Sequence, residues 1–246
     1  MEFGIFIDTH IDKWDVIRYA EELGYQRAYT PDSEMIWSDC YATLALAAVN
    51  TSTIKLGTGI AAPGVRIAPV TAHSIASINQ LAPGRVFLGI GTGHTSMRMI
   101  GQNPAALREL REYVNVVRKL LDGEEVEYTY RGKTRPIKFI HRDRHYINLD
   151  NRIPIFIAAN GPKAIQLAGQ IADGWIVHTI DPEHGRAYFA LLEDGARKAG
   201  RKLPADFHPA FHTSACVLRL GERLTDERVI NETGAAVTCV LHLAYE

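Results

Sequence analysis

The stretch Arg85-Val-Phe-Leu-Gly-Ile-Gly-Thr-Gly-His-Thr-Ser96 constrains the fold more than any other part of the chain. An apolar run of this length between turn signals reads as a strand buried on both faces, the kind a parallel sheet requires. Gly89, Gly91 and Gly93 strip side chains from the strand's carboxyl end, which lets backbone approach a ligand closely. In a parallel barrel that end is where ligands sit.

The same design recurs along the chain. Strand patterns occupy Glu2–Ile7, Arg27–Thr30, Ile54–Ile60, Val86–Ile90, Ile153–Ala159 and Gly174–His178, with a seventh inside Phe207–Leu220. Helical patterns alternate with them. The first is capped by Asp12, carries Val16, Ile17, Ala20 and Leu23 on one face, and ends at Gly24. A second runs from about Asp39 to Val49, and a third opens at Pro69 with Ile75, Ile78 and Leu81 three apart. Asn103-Pro104 supplies an N-cap and a first-turn proline for a fourth, striped by Leu107, Leu110, Val114, Val117 and Leu121. Gly161-Pro162, Asp181-Pro182 and the neighbourhood of Asp226 start the rest. Between Glu125 and Leu149 the period changes, and Tyr128, Tyr130 and the turn-prone Arg131-Gly132 indicate a β-hairpin insertion. Seven β/α units predict a (β/α)₈ TIM barrel as one domain over 1–246, incomplete at its C-terminus because the eighth strand is missing. A doubly wound open sheet is the rival.

At 246 residues and 46% hydrophobic, the chain can bury one large core. A net charge of −1 provides no field for nucleic acid or anionic membrane, and no apolar run nears the roughly 18 residues a spanning helix needs. Cys40, Cys216 and Cys239 do not make a disulfide frame, so a cytoplasmic location is expected. The cations Arg131, Lys133, Arg135, Lys138, Arg142 and Arg144 of the insertion read as a solvated face, or as a basic rim attracting an acidic ligand.

A barrel would gather the strand ends into a ring. It holds Asp8, Thr9 and His10; Asp32, Ser33 and Glu34; the segment 57–63; the segment 91–96; Asn160-Gly161-Pro162; and His178-Thr179. Small residues on three adjacent ends leave a shelf for a flat molecule. Asp32 and Glu34 supply carboxylates, and Ser96 and the helix start at Gly161 supply donors for an anion. Each has a plainer reading: a tight turn, a helix cap, a solvated loop carboxylate, a structural histidine. No metal site is expected. His208 and His212 would lie about 13 Å apart along a strand, His141 and His145 meet the same objection, and no zinc motif or nucleophile elbow occurs.

The chain resembles the bacterial luciferase-like family of flavin- and deazaflavin-dependent oxidoreductases, near the branch of methylene-tetrahydromethanopterin reductase. The resemblance runs in order through Ala20-Glu-Glu-Leu-Gly24, Thr30-Pro-Asp32 and Thr53-Ile-Lys-Leu-Gly-Thr-Gly-Ile60 followed by Pro63. It continues through Ala82-Pro-Gly-Arg-Val-Phe-Leu-Gly-Ile-Gly-Thr-Gly93, Leu120-Leu-Asp-Gly-Glu124, Ile153-Pro-Ile-Phe-Ile-Ala-Ala-Asn-Gly-Pro162, Leu167-Ala168 and Ile171-Ala-Asp-Gly174. It implies a (β/α)₈ barrel with an insertion, a homodimer, and either deazaflavin F420 or FMN as cofactor. Asp32 would stand beside the ring, and Gly59-Ile60 would form a non-proline cis bond behind it. Gly91, Thr92, Gly93 and Ser96 would flank the ring, with Asn160, Gly161 and Pro162 near its phosphate. Many relatives carry histidine where this chain has Ser33, so the acid/base role could pass from Asp32 to Glu34, His10 or His178. The expected reaction is hydride transfer with a small organic substrate; monooxygenation on FMN is one alternative, a non-catalytic barrel that binds no cofactor another. A phosphate-handling lyase is disfavoured, because no lysine stands at a strand end for a Schiff base.

Overall fold

The computed structural model describes residues 1–178, 182–234 and 237. The expectations for Thr179, Asp181 and Cys239 lie outside the described residues. Strands β1 (Gly4–Phe6), β2 (Arg27–Thr30), β3 (Lys55–Thr58), β4 (Val86–Ile90), β7 (Ile155–Ala158), β8 (Gly174–His178) and β9 (His208–His212) form one parallel sheet in that order. Strands β5 (Val126–Tyr130) and β6 (Lys133–Ile137) are the expected antiparallel hairpin, turning at Arg131-Gly132 where both residues have positive φ. Helices α1 (Asp15–Glu22), α2 (Cys40–Asn50), α3 (Ala68–Leu81), α5 (Leu107–Leu121), α6 (Pro162–Ile171) and α7 (Pro182–Lys198) connect the parallel strands; a short α4 (His94–Met99) follows β4, and 227–234 is helical.

The sheet curls until its two ends approach. The Phe6 ring of β1 lies 4.6 Å from the imidazole of His212 on β9, so seven strands nearly close a barrel. Period-two alternation sorts the strand residues. Ala28, Leu56, Leu88, Ile155, Ile157, Trp175 and Val177 face outward and join the helices in the main core. Tyr29, Phe87, Phe156 and Ile176 face inward and fill the barrel. Room for these rings comes from glycine on the neighbouring strands. A methyl at Gly57 would run into the Phe87 ring, and one at Gly174 would sit 2.5 Å from a ring atom of Phe156. Below them, the guanidinium of Arg27 lies 5.7 Å over both Phe87 and Phe156, and its Nε donates to Glu2 at 2.9 Å. That buried cation stoppers the amino end.

Several local expectations need correction. Asp12 does not cap α1. Its carboxylate sits 3.0 Å from His10 Nδ1, and Ile11–Lys13 forms a 3₁₀ turn instead. Only Ile17 and Ala20 of the supposed α1 face are buried, while Val16 and Leu23 stand exposed; Leu81 of α3 is likewise exposed. Asn103-Pro104 does not open α5, which starts at Leu107, where Glu109 accepts from the Ala106 amide at 2.8 Å. The stripe from Leu110 to Leu121 is buried as expected. The hairpin leaves after α5 and rejoins before β7, so it is rooted at the amino end, opposite the mouth. Its six cations are exposed, with Lys138 paired to Glu125 at 3.0 Å.

Candidate active site at the carboxyl rim

Asp32 follows the end of β2 through Pro31, in the loop just above the barrel, and it is 2% exposed. Glu34 follows two residues later, and Asp39 caps α2 by accepting from the Ala42 amide at 2.8 Å. One side chain from the β3–α3 loop gathers all three: Nη2 of Arg66 is 2.7 Å from Asp39, 3.4 Å from Glu34 and 3.5 Å from Asp32. The guanidinium also lies 4.9 Å over the Tyr41 ring, and the Arg66 carbonyl accepts from Tyr113 at 2.7 Å.

Among the described residues, the buried side-chain polar atoms without a hydrogen-bond partner are Asp32 Oδ2, Glu34 Oε2, Tyr41 OH and Arg66 Nε. All four belong to this cluster. Buried polar groups are nearly always satisfied, so four orphans in one place single this cluster out. Burial pushes the Asp32 carboxyl up to about 6, against the pull of Arg66 and with the charge of Glu34 adding to the rise. Asp39 is opposed by burial too, but the Ala42 amide and Arg66 hold it below its ordinary range. The cluster therefore has one carboxyl that takes or gives a proton near neutrality beside a fixed cation, the arrangement general acid–base chemistry needs.

The floor beside this cluster is shaped by a bulge. Gly57 pairs with Phe87, whereas Ala61 bridges to Ile90, so four steps along β3 span three along β4. The extra residue lies at Gly59-Ile60, whose peptide bond is cis. The Gly59 Cα is crowded: a methyl there would meet Phe6 at 2.6 Å and Tyr29 at 2.8 Å. A methyl at Gly91 would strike Ile60 and approach Ala158 at 3.2 Å. These glycines are packed closely by their neighbours. Neighbouring side chains occupy the space, and the floor is apolar, made of Phe6, Tyr29, Ile60 and Ile176.

The remaining strand-end residues are placed around this floor. Gly91, Gly93 and Ser96 are buried after β4, with Gly93 in the left-handed region heading α4, and Thr92 is half-buried. Asn160, Gly161 and Pro162 are exposed at the start of α6, where Asn160 accepts from the His178 amide at 3.0 Å. His178 ends β8 and faces His212 of β9. His10 is exposed and held by Asp12, so it does not join the Asp32 cluster. Met35, Ile36 and Trp37, on the loop after Glu34, expose apolar surface at the rim. Sequence reasoning missed Arg66 and His212. Arg66 lies in a patternless loop, and only the excess of acid on the neighbouring strand end hinted at a cation; His212 was weighed against His208 along its own strand rather than against the strand beside it. Among the described residues no group of three or more His, Cys, Asp or Glu could hold a metal, and no helix is long and apolar enough to cross a membrane.

Comparison with known proteins agrees with this fold. The family model described as luciferase-like monooxygenase matches residues 1–229. Over 188 residues the chain is 35% identical to 5,10-methylenetetrahydromethanopterin reductase of Methanolobus tindarius, covering 75% of this chain and 55% of that protein. The solved structure of the coenzyme F420-dependent tetrahydromethanopterin reductase from Methanopyrus kandleri matches with a TM-score of 0.70 at 28% identity, over 87% of this chain and 65% of that one. A type II Baeyer–Villiger monooxygenase from Pseudomonas putida in complex with FMN shares the fold, with a TM-score of 0.69 at 19% identity over 88% and 68% of the two chains. The chain spans about half the length of the curated relatives it matches. Fold and comparison converge: the chain belongs to the luciferase-like monooxygenase family.

Proposed function

We propose that this chain is an oxidoreductase that holds a deazaflavin of the F420 type across the barrel mouth and moves hydride to or from a small organic substrate. The observation that carries the reading is the set of orphaned polar atoms of Asp32, Glu34, Tyr41 and Arg66 at the edge of an apolar floor. A flat ring would fit that combination, with Phe6, Ile60 and Ile176 offering an apolar surface for its face and the cluster offering partners for its polar edge. The Gly59-Ile60 bulge would lie behind the ring, Gly91, Thr92, Gly93 and Ser96 beside it, and Asn160, Gly161 and Pro162 near its phosphate. When bound, the cofactor supplies the two-electron chemistry.

The chain's own residues do the rest. Asp32 gives or takes the proton at the substrate's heteroatom, with Glu34 as its relay, and Arg66 keeps Asp32 ionisable at neutral pH. The apolar floor excludes water from the transfer. Family membership and the FMN-bound neighbour support a second reading, monooxygenation on reduced FMN at the same mouth. The exposed Val16 and Tyr19 of α1 and Leu23 at its end, spaced three and four apart, support a homodimer through the barrel helices. Buried, unpaired Cys40 supports work in the reducing cytoplasm.

The test is absorbance titration of the purified protein with F420 and with FMN, each in both redox states. Submicromolar binding of F420 is the expected result. Preference for FMN would move the function to the second reading, and tight binding of neither would defeat both.

A further inference from the structure

The β5–β6 hairpin packs over α3 and α5 and forms with them a cleft of about 430 Å³, outside the barrel. Paired residues of an antiparallel ribbon share a face. The register therefore puts Val126 with Ile137, Tyr128 with Arg135 and Tyr130 with Lys133 on one side, and Glu127, Thr129, Thr134 and Pro136 on the other. The first side looks into the cleft. It grades from apolar residues at the root, through two tyrosines, to cations toward the tip. Leu120, Ile137 and Phe139 supply apolar wall, with Phe139 lying 6.2 Å from the His73 ring of α3. The rings of Tyr128 and Tyr130 stand 6.3 Å apart with planes only 11° from parallel, which makes a flat panel. Among the described residues Lys138, also in the lining, is paired with Glu125 at 3.0 Å, whereas Lys133 and Arg135 make no ion pair.

We propose that this cleft is a second binding site, and that it takes a planar aromatic carboxylate. The inference is independent of what the barrel mouth holds. Ligand pockets run from roughly 300 to 1,000 Å³, so a cleft of this size takes one small molecule. The tyrosine panel favours a flat arene, which stacks where an aliphatic chain only touches. The charge of the ligand follows from where the cations stand. Cations that serve only solubility have the outer face of the hairpin available, and that face carries Glu127, Thr129, Thr134 and Pro136 instead. Lys133 and Arg135 stand on the inner face, beside apolar wall, with no acid to balance them. The planar fork of Arg135 matches the two oxygens of a carboxylate, and Lys133 adds a point charge. Both cations are exposed, so each contributes modestly. The arene supplies the affinity and the cations supply the selectivity for an anion.

The test follows the ring signals of 13C-labelled tyrosine in the cofactor-free protein, so it is decided separately from the proposed function. Tyr128→Phe and Tyr130→Phe assign the two signals. The probes are 2-naphthoate, 2-naphthalenemethanol and decanoate. Saturable shifts of Tyr128 and Tyr130 with 2-naphthoate are expected, at an affinity about fivefold above that for the neutral alcohol or for decanoate. Arg135→Gln should weaken 2-naphthoate about threefold or more, whereas Arg144→Gln, which removes the same charge from the exposed 142–144 turn, should leave it within about twofold. Both substitutions fall at exposed positions, where folding is not at stake. Equal or tighter binding of the alcohol or of decanoate would overturn the proposal, as would equal effects of the two arginine substitutions. Shifts of Tyr29 and Tyr41 with Tyr128 and Tyr130 unmoved would place the molecule at the mouth and overturn it too. So would movement of the Tyr128 and Tyr130 signals on dilution alone, which would make this face a contact between copies of the chain.

Discussion

Replacing Arg66 by Met removes the one cation that faces Asp32 among the described residues and keeps an unbranched side chain there. At 3.5 Å and an effective dielectric constant of about 20, the attraction between unit charges is about 5 kcal/mol, or roughly three to four pH units. Arg66 shares its charge with Glu34 and Asp39 and is 21% exposed, so this value is a ceiling. Observed effects of a single opposite charge at this range are roughly one to three units. Asp32, already raised to about 6 by burial, should therefore titrate at least one unit higher in Arg66→Met. Carboxyl 13C NMR with labelled aspartate reads the midpoint directly, without cofactor or substrate. Arg66→Lys retains a point charge and should move the midpoint by less than half a unit. A midpoint in Arg66→Met that is unchanged or lower would mean that burial alone sets Asp32, and the reasoning about the cluster would be wrong.

Three other perturbations follow from the packing. Asp32→Asn should stabilise the protein: the rise from 3.8 to about 6 is an unfavourable contribution that grows as pH climbs from about 4 to 6, is constant above, and amounts to about 3 kcal/mol at most, so urea unfolding at pH 8 and pH 4 should show the gain only at pH 8. Glu21, although burial opposes its charge, is held below its ordinary range by the amides of Ile54, Thr53 and Ser52, so Glu21→Gln should cost about 1–2 kcal/mol at pH 7 and progressively less as the solution is acidified below pH 4. Gly174→Ala would set a methyl 2.5 Å from both the His208 carbonyl and Phe156, and a loss of about 1–3 kcal/mol in chemical denaturation is expected; an unchanged midpoint would show that the barrel interior is looser than described.

Strands β2, β4 and β8 were legible to the residue; β4 is apolar throughout, as a doubly buried strand must be, with glycine directly after it, and proline directly follows β2. The hairpin was legible from a change of period, and Asp32 from its place after Thr30-Pro31. What escaped depended on contacts the chain makes with itself at a distance. Asp12 looks like a cap until His10 claims its carboxylate. Asn103-Pro104 has the right chemistry to start a helix, yet Ala106 with Glu109 wins three residues later. Helix α4 is too short for a periodic signal. Arg66 meets Asp32 only because β2 and β3 are neighbours, and His212 meets His178 only through strand register, which no spacing within one segment reveals.

The cation lodged below Phe87 and Phe156 has a kinetic consequence. Arg27 closes the lower end and Tyr29, Phe87 and Phe156 fill the interior, so under the proposed function two reactants that meet at the mouth would arrive from the same side. Whichever lay deeper would have to arrive first and depart last. Steady-state turnover should then follow a compulsory sequence, with the outer reactant trapping the inner one.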